Sequence, residues 1–290
     1  MKICKVCAYQ FDSMEWKCPS CGSRPNQIEG FFAFAPELAL ENDGFPPESF
    51  NQLAELESRN FWFRARNQLI IWAIQRYFPQ VRDFLEIGCG TGFVLSGIEK
   101  AFPDMRLTGC EVYANGLKNA SSRLKRTNLI QMDARAMPFE KEFDLVGCFD
   151  TLEHIEEDEA VLAQINKVLR PGGGVILTVP QHPALWSYVD EYSCHVRRYT
   201  RKELIQKMNA AGFTVKRCTS FVSLLLPLML MSRVGNAPKK ENFDPTAELR
   251  INATINTALE KILDFERLLI RAGVNFPAGG SLLMLAIKNR

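Results

Sequence analysis

The 290-residue sequence lacks an apolar stretch long enough to cross a lipid bilayer. Its longest apolar run, Phe221–Met231, has 11 residues and includes Pro227, whereas a transmembrane helix needs about 20. The segment that begins at Met1 also lacks the apolar core of a secretory signal. We therefore expect a cytoplasmic protein without a membrane-spanning segment.

The sequence also lacks an excess of charge of either sign. Lys and Arg number 35 and Asp and Glu number 33, which gives a net charge of +2. This balance excludes a polycationic surface of the kind that binds nucleic-acid backbones. Apolar residues make up 47% of the chain and charged residues 23%, which is typical of a globular protein and excludes global disorder.

Disulfides are rare in the cytosol, so the nine cysteines need another explanation. Four of them form two Cys-x-x-Cys pairs, Cys4 with Cys7 and Cys18 with Cys21. Two such pairs place four thiolates on tight turns, as a tetrahedral zinc site requires. We predict a structural Zn²⁺ ion bound by these four residues in a knuckle over residues 1–27, which resembles short zinc ribbons. Chance pairs and redox dithiols are the alternatives, although a redox pair usually accompanies a βαβ pattern.

The positions of Pro and Gly and the spacing of apolar residues divide the rest of the chain into two regions. Pro and Gly are frequent just after the knuckle, and apolar residues at helical spacing follow them. We therefore predict a linker and lid helices over residues 28–80. From residue 81 to 290, strand-length apolar runs alternate with helical stretches, which predicts βαβ units in a doubly wound, mostly parallel α/β sheet. We expect an apolar insertion at 220–271, with a helix Ala247–Arg271, before a last strand at Ser281–Lys288.

The remaining predicted elements are of two kinds. The strands are Asp83–Ile87, Arg106–Glu111, Leu129–Met132, Phe143–Phe149, Gly174–Val179 and Thr214–Thr219. The helices are Phe93–Ala101, Gly116–Lys125, Glu157–Leu169 and Arg201–Ala211.

A glycine-rich loop, Glu86-Ile87-Gly88-Cys89-Gly90-Thr91-Gly92, follows the first of these strands. Glycines here let the backbone approach a ligand closely before a helix begins. The spacing Gly-x-Gly-x-Gly differs from the Gly-x-Gly-x-x-Gly of dinucleotide sites, which favours a different nucleoside. Glu111 ends the second strand 23 residues after Gly88, where a carboxylate can bind both ribose hydroxyls. Asp133 follows the third strand and suits an exocyclic adenine amine.

With Asp150-Thr151-Leu152-Glu153-His154 after the fourth strand, this ordered set resembles the class I S-adenosylmethionine-dependent methyltransferases. The resemblance is to the small-molecule branch that includes ubiquinone and menaquinone biosynthetic enzymes, and it covers roughly residues 61–212. It implies a seven-stranded, Rossmann-like methyltransferase fold, S-adenosylmethionine as the cofactor and a small-molecule acceptor. A nucleotide-binding protein that transfers no methyl group is the alternative.

The resemblance also implies a set of cofactor-binding residues. Glu86 and residues 88–92 would hold the methionine part, Glu111 the ribose, and Asp133 with Ala134 the adenine, while Asp150 and Leu152 would lie beside the transferable methyl group. The full set is Arg66, Glu86, Gly88, Cys89, Gly90, Gly92, Glu111, Val112, Asp133, Ala134, Asp150 and Leu152.

The segment Asn60–Asn67 is similar to the helix that covers the cofactor in bacterial members of this family. By that similarity Arg66 would pair with the cofactor carboxylate through two N–H groups, and Trp62 or Phe63 would face the sulfonium. The alternative is an aromatic docking face with solvated arginines.

Histidine is scarce, and all three histidines, His154, His182 and His195, follow the fourth or fifth strand. Loops at the carboxyl ends of such sheets bind ligands, and histidine suits proton removal near pH 7. Methyl transfer depends mainly on positioning, so a base is needed only when the nucleophile arrives protonated. The predicted catalytic residues are His154, His182 and Asp150, with His154 preferred as base. A structural hydrogen bond is the alternative role for each histidine.

These features predict in-line methyl transfer to a small, partly hydrophobic acceptor at oxygen, nitrogen or carbon. The basic run His195–Lys202 could meet an anionic group of the acceptor. Phe221–Met231 could be a lid, a buried core helix or the face of a homodimer. An RNA or protein methyltransferase that grips its target with the knuckle, and a noncatalytic scaffold, are the other classes. Residues 1–27 hold four basic and two acidic side chains. This excess of positive charge is small for a segment that binds RNA phosphates.

Overall fold

A computed structural model describes residues 1–13, 15–39, 47–233 and 250–290 of the chain. The predicted start of the insertion helix, at Ala247, and linker residues 40–46 lie outside the described residues. The described part contains a two-stranded hairpin and a nine-stranded mixed sheet. No helix in these ranges is both long and apolar enough to cross a membrane.

The elements are numbered here in chain order. The strands are β1 (Lys2–Ile3), β2 (Gln10–Phe11), β3 (Asn26–Ile28), β4 (Phe31–Ala33), β5 (Asp83–Ile87), β6 (Arg106–Glu111), β7 (Asn128–Gln131), β8 (Phe143–Phe149), β9 (Leu169–Pro180), β10 (Phe213–Phe221) and β11 (Ser281–Lys288). The α-helices are α1 (Pro47–Leu56), α2 (Phe61–Tyr77), α3 (Phe93–Ala101), α4 (Ala114–Arg123), α5 (Asp158–Val168), α6 (Tyr188–Tyr192), α7 (Arg201–Ala210), α8 (Leu226–Arg233) and α9 (Ala253–Arg271).

The large sheet has the strand order β3-β4-β7-β6-β5-β8-β9-β11-β10. Strands β5 to β9 run parallel, and β11 lies antiparallel between β9 and β10. The chain winds outward from β5 to β7 on one side and through β8 and β9 on the other, so the switch point lies between β5 and β8. The predicted doubly wound, mostly parallel sheet is confirmed, and a crevice at its carboxyl end follows from this order.

Two short linker strands extend the seven predicted strands to nine. Strand β4 pairs with β7 through Phe32 and Ile130, and β3 pairs with β4. The Gln131 side chain fixes this junction, because its Oε1 accepts from the Ala35 amide at 3.0 Å and its Nε2 donates to the Ala35 carbonyl at 2.6 Å. The linker is therefore part of the sheet edge.

Buried side chains cover both faces of the sheet. In β5, Phe84 packs with the side that carries α2 and α3, and the next residue, Leu85, packs with the opposite side. Successive strand side chains point to opposite faces, so a strand covered on both sides has a continuous apolar run. This is why Phe84 and Leu85 are both apolar although they face opposite sides of the sheet.

The knuckle packs against the main domain near the start of β8. Trp16 lies 4.5 Å from Phe34 and 5.4 Å from Phe139, measured between ring centroids. The Ile3 amide donates to the Pro138 carbonyl at 2.9 Å. None of these residues lines the cavity at the carboxyl end of the sheet.

Helix α9 holds α2 in place over the sheet. Arg64 donates to both carboxylate oxygens of Glu260, at 2.8 and 2.6 Å, and the Phe61 amide donates to Asn256 at 2.8 Å. The insertion thus fixes the helix that precedes the sheet.

Candidate active site

A cavity of about 1170 Å³ opens at the carboxyl ends of β5, β6, β7 and β8. Helices α1 and α2 cover it, and Val222, Leu225 and Met229 from the insertion form an apolar wall. The volume exceeds the ~300–1,000 Å³ typical of a single ligand pocket, so it has room for two ligands. The predicted residues that line it are Arg66, Glu86, Gly88, Cys89, Gly90, Glu111, Val112, Asp133, Ala134, Asp150 and His154.

The glycine-rich loop lines the cavity with backbone atoms, because Gly88 and Gly90 have no side chain. Gly88 has φ +66°, and a Cβ there would lie 2.3 Å from the Thr151 side chain. Gly90 has φ +49°, and the nearest atom to an added Cβ is 3.9 Å away, on Phe50. A side chain at Gly90 would therefore enter the cavity space that the glycine leaves free for a ligand.

Glu111 is buried at the end of β6 with its carboxylate fully engaged by backbone. It accepts from the amides of Gly90 at 3.0 Å, Val112 at 2.8 Å and Tyr113 at 3.2 Å. Burial raises the pKa of Glu111, although these backbone hydrogen bonds oppose the rise. The carboxylate joins the loop to the second strand at the place predicted for a ribose.

Glu86 differs from Glu111 because its charge is not fully compensated. It is buried, and its Oε2 atom has no hydrogen-bond partner among the described residues. Burial raises the pKa of Glu86 well above its usual value, Arg66 opposes this, and Glu57 and Glu111 add to it. The site therefore leaves a carboxylate oxygen available to a cationic or hydrogen-bond-donating ligand.

Arg66 joins the lid helix to the fourth strand. Its guanidinium lies 4.4 Å from the Trp62 ring and 5.5 Å from the Phe63 ring, and its Nη1 atom donates to Asp150. Asp150 has φ +51° and also accepts from the Thr178 hydroxyl at 2.9 Å. The Nε atom of Arg66 has no partner among the described residues. Arg66 is therefore buried and not solvated.

Asp133 lines the cavity, and its carboxylate is already hydrogen-bonded to Arg135. Its carboxylate accepts from the backbone amide of Arg135 at 2.8 Å and from the Arg135 side chain at 3.0 Å. Arg135 also binds Glu157 at 2.9 Å. An adenine amine would therefore share Asp133 with an arginine.

Beyond Asp150 the cavity is lined by a second group, Glu153, His154 and His195, called here the histidine cluster. The two imidazole rings lie 4.7 Å apart at 79°. Burial, and then the neighbouring His195, lower the pKa of His154 to about 4. Burial raises the pKa of Glu153 well above its usual value, and Asp150 adds to this.

Asp190 and Arg198 support the histidine cluster from behind. The Nδ1 atom of His195 lies 2.9 Å from Asp190 Oδ1. Arg198 donates to both oxygens of Asp190, at 2.7 and 3.0 Å. These charge-assisted hydrogen bonds hold the pKa of Asp190 far below its usual range although burial raises it.

Residues 85–177 match the family model described as a methyltransferase domain. The match includes the glycine-rich loop, Glu111, Asp133 and Asp150, which the structure brings to one cavity. The chain is an S-adenosylmethionine-dependent methyltransferase.

Similar proteins are consistent with this assignment. Over 186 residues the methyltransferase is 25% identical to a Mycolicibacterium smegmatis protein named "Probable S-adenosylmethionine-dependent methyltransferase", covering 62% of this chain and 70% of that one. Over 111 residues it is 31% identical to the ubiquinone biosynthesis O-methyltransferase of Psychrobacter cryohalolentis, covering 35% of this chain and 42% of that enzyme. This second alignment spans less than half of the relative.

A solved structure shares the fold at low sequence identity. It is a chain of the complex between the Haloferax volcanii Trm112 methyltransferase activator and a methyltransferase. The TM-score is 0.57 and the identity 15%, covering 87% of this chain and 98% of that chain. The likeness shows the Rossmann-like methyltransferase fold.

The structure does not bring every predicted residue to the cavity of the methyltransferase. Leu152 is fully buried in the core beneath it. Gly92 is the N-cap of α3, and a Cβ there would lie 2.9 Å from Leu124. His182 is not among the lining residues, and burial followed by Arg198 lowers its pKa.

Sequence reasoning missed Glu57, which links the lid to the cofactor loop. Its carboxylate accepts from the Thr91 hydroxyl at 2.8 and 2.6 Å and from Arg123 at 2.8 Å. The helical periodicity of the segment placed Glu57 in a predicted helix, but nothing local indicated a buried partner.

The basic run His195–Lys202 has a different role from the one expected. Arg197 lies 3.1 Å from Asp158, and Arg198 is bound to Asp190. The Tyr199 hydroxyl donates to Asp158 at 2.7 Å. These side chains stabilise the cavity wall, so they are not free cations for an anionic acceptor.

Proposed function

We propose that this methyltransferase methylates a small, partly hydrophobic acceptor at oxygen, nitrogen or carbon by in-line displacement. When bound, S-adenosylmethionine supplies a methyl group activated by its sulfonium. The observation that supports the proposal most is that one cavity is lined both by the polar cofactor residues and by the apolar side chains Val222, Leu225 and Met229. The ubiquinone-biosynthesis name of one relative favours the same acceptor class.

The residues on the cavity surface fit this cofactor. Its amino-acid part carries an ammonium and a carboxylate, which complement the unpartnered Oε2 of Glu86 and Nε of Arg66. Glu111 would hold the ribose, and Asp133 with Ala134 would hold the adenine. The bare backbone at residue 90 would let the cofactor lie close to the loop.

The chain would contribute mainly positioning and the exclusion of water. Asp150, held in place by Arg66 and Thr178, would lie beside the transferable methyl group. Alignment of two reactants in this way can lower a barrier by about 7–11 kcal/mol. Where the acceptor arrives protonated, His154 is the better placed base, because it lines the cavity and His182 does not.

A screen with methyl-labelled S-adenosylmethionine and fractionated metabolite extracts tests this function. We expect label in a small product that partitions toward organic solvent, and a reduced rate in His154→Ala if a base is needed. His182→Ala serves as the matched control for loss of a histidine. Label found only in RNA or in protein would overturn the small-molecule acceptor.

We also propose that a structural zinc ion holds the knuckle together. The Sγ atoms of Cys4 and Cys21 lie 3.7 Å apart, and those of Cys7 and Cys18 lie 3.6 Å apart. Zn–S bonds of about 2.3 Å in a tetrahedron require sulfur separations of about 3.8 Å. All four sulfurs lie within 4.8 Å of one another, so the set fits Zn²⁺.

Elemental analysis of Cys18→Ser tests the zinc proposal. We expect one zinc per chain in the parent, none in this variant, and one in the control Cys218→Ser, whose thiol is buried elsewhere. Cofactor affinity should stay within about twofold, because no described residue of the knuckle lines the cavity. Metal-free parent protein, purified without chelator, would contradict the zinc site.

The homodimer and the cytoplasmic location stay predictions. Leu228 and Met231 on α8 and Phe265 and Leu268 on α9 are more than half exposed, which is compatible with a dimer face. Light scattering of Phe265→Ser against the parent would test that face.

A further inference from the structure

The histidine cluster takes no part in the proposed cofactor contacts, and its geometry resembles a metal site. One potential ligand atom from each of Glu153, His154 and His195 lies within 4.8 Å of the other two. Nε2 of His195 is 4.0 Å from Oε1 of Glu153, which is too long for a hydrogen bond. Two bonds of about 2.0–2.2 Å to one metal ion would span most of such a gap.

Glu153 is the strongest single indication of a missing partner. The residue is fully buried, and neither carboxylate oxygen has a hydrogen-bond partner among the described residues. The buried carboxylate of Asp158, by contrast, is paired with Lys207 at 2.6 Å. An unpaired buried carboxylate is costly, and native structures contain few such groups. A cation beside Glu153 and the two imidazoles would satisfy both oxygens.

The surroundings of His195 are those of a metal-binding histidine. Such histidines usually donate their second ring N–H to a carboxylate, which fixes the tautomer and orients the ring. Here Asp190 accepts from Nδ1 at 2.9 Å and is itself held by Arg198. This hydrogen bond assigns the lone pair to Nε2, which faces Glu153.

We propose that Glu153, His154 and His195 bind one divalent transition-metal ion in the cavity wall. Two imidazoles and one carboxylate suit Mn²⁺, Fe²⁺, Co²⁺, Ni²⁺ or Zn²⁺ better than Mg²⁺ or Ca²⁺, which prefer oxygen ligands. Three protein ligands leave at least one coordination position open, and the cluster lines the cavity. Only the identity of the open-position ligand, an acceptor oxygen or nitrogen, rests on the proposed function.

This site and the base role of His154 are alternatives. A metal ion on His154 occupies the nitrogen that a general base needs. A metal ion also lowers the pKa of a hydroxyl bound to it, so an acceptor hydroxyl would then need no histidine base. Metal titration therefore decides between the two roles.

Manganese is the probe that separates this site from the knuckle, because the soft thiolate ligands of the knuckle select zinc over Mn²⁺, whereas the histidine cluster contains no thiolate. Free Mn²⁺ is followed by electron paramagnetic resonance during titration of the full chain. We expect one bound Mn²⁺ per chain, and at least tenfold weaker binding in Glu153→Gln and His195→Ala. The matched control Glu159→Gln changes an exposed glutamate on α5 and should bind as the parent does.

A fourth variant tests the carboxylate behind the ligands. Asp190→Asn should weaken Mn²⁺ binding by about 10–100-fold, the usual cost of removing such a partner. S-adenosylhomocysteine binding, measured on every variant, shows whether the fold and the cofactor site persist. Should Asp190→Asn fail to fold, Glu153→Gln, which keeps the side-chain shape, decides alone.

Two results would overturn the metal site. One is a parent chain that binds no Mn²⁺ up to millimolar concentration while it binds S-adenosylhomocysteine. The other is Mn²⁺ binding that stays unchanged in both ligand variants. Conversely, Mn²⁺ bound through Glu153 in a chain that binds no S-adenosylhomocysteine would overturn the proposed function and leave the metal site standing.

Discussion

Glu111, the last residue of β6, and Glu153, four residues after β8, are both buried glutamates, yet the protein surrounds them in opposite ways. The Glu111 carboxylate accepts three backbone hydrogen bonds. The Glu153 carboxylate accepts none within the described part of the chain. Glu111 organises the cofactor side before any ligand arrives, whereas Glu153 needs a ligand to compensate its charge. The cavity therefore has a preorganised half, around Glu111, and a second half, around Glu153, whose polar groups are satisfied only when a ligand binds.

The largest effect should come from breaking the preorganised half at Gly88. In Gly88→Ala a Cβ would clash with Thr151 at 2.3 Å, at a φ of +66°. Overpacking costs about 1–3 kcal/mol and the left-handed conformation about 1–2 kcal/mol. We expect S-adenosylhomocysteine affinity, measured by calorimetry, to fall at least tenfold.

Gly172→Ala is the matched control for this change. Gly172 also has a positive φ, +77°, but no atom of the described residues lies within 4 Å of an added Cβ. It should lose stability through backbone strain and keep its cofactor affinity. Equal loss of affinity in both variants would show that strain, and not the contact with Thr151, explains the effect.

Removing the Glu111 carboxylate should have the next largest effect. Glu111→Ala loses charge-assisted hydrogen bonds to the loop and to the proposed ribose, worth roughly 1–3 kcal/mol. We expect cofactor affinity to fall by about 5–150-fold in calorimetric titration. Glu99→Ala is the control, since Glu99 accepts from the backbone amides of Lys125 and Arg126 outside the cavity. Unchanged affinity in Glu111→Ala would remove Glu111 from the site.

Glu86→Gln should produce a smaller change, visible as a pH dependence of stability. The folded-state pKa of Glu86 is raised by burial and by Glu57 and Glu111, with Arg66 opposing. A raised carboxyl pKa leaves the folded protein most stable below the unfolded pKa, about 4.3, and less stable as pH rises from there to the folded pKa. At a pH above both values, the free energy of unfolding is lower by about 1.4 kcal/mol for each unit by which the pKa of Glu86 in the folded protein exceeds its pKa in the unfolded protein.

In the cofactor-free protein, Glu86→Gln should therefore unfold at higher denaturant concentration than the parent at pH 7, with the difference shrinking toward pH 4. Chemical denaturation at several pH values measures this. A parent and variant that differ equally at pH 4 and pH 7 would mean that the Glu86 carboxylate is compensated in the folded state.

The sequence predicted the cofactor half well because its signals are local. Glycine spacing and strand-end acids place Gly88 and Glu111 without knowledge of tertiary contacts, and β5, β6 and β8 have the predicted bounds. The strand expected at Leu129–Met132 is shifted by one residue, to Asn128–Gln131. Such ends depend on pairing with neighbours and not on the strand's own pattern.

The histidine half could not be assembled from sequence in the same way. Glu153 and His195 are 42 positions apart, and Asp190 and Arg198 acquire their roles only when the loop after β9 folds over the end of β8. The predicted sheet also missed β3 and β4, because three-residue strands are too short for periodicity to reveal. The residues that form these two strands were therefore predicted only as parts of the knuckle and the linker.

The linker strands have a consequence for the integrity of the sheet. Without β4, the outer backbone of β7 would present unpaired N–H and C=O groups beside Ile130, and such an edge recruits strands from other chains. β4 covers this edge, and β3 ends the sheet with the exposed polar side chains of Asn26 and Gln27. Trimming the chain to its methyltransferase domain would therefore open a site for intermolecular strand pairing, and aggregation of the trimmed protein would arise there even with the cofactor site intact.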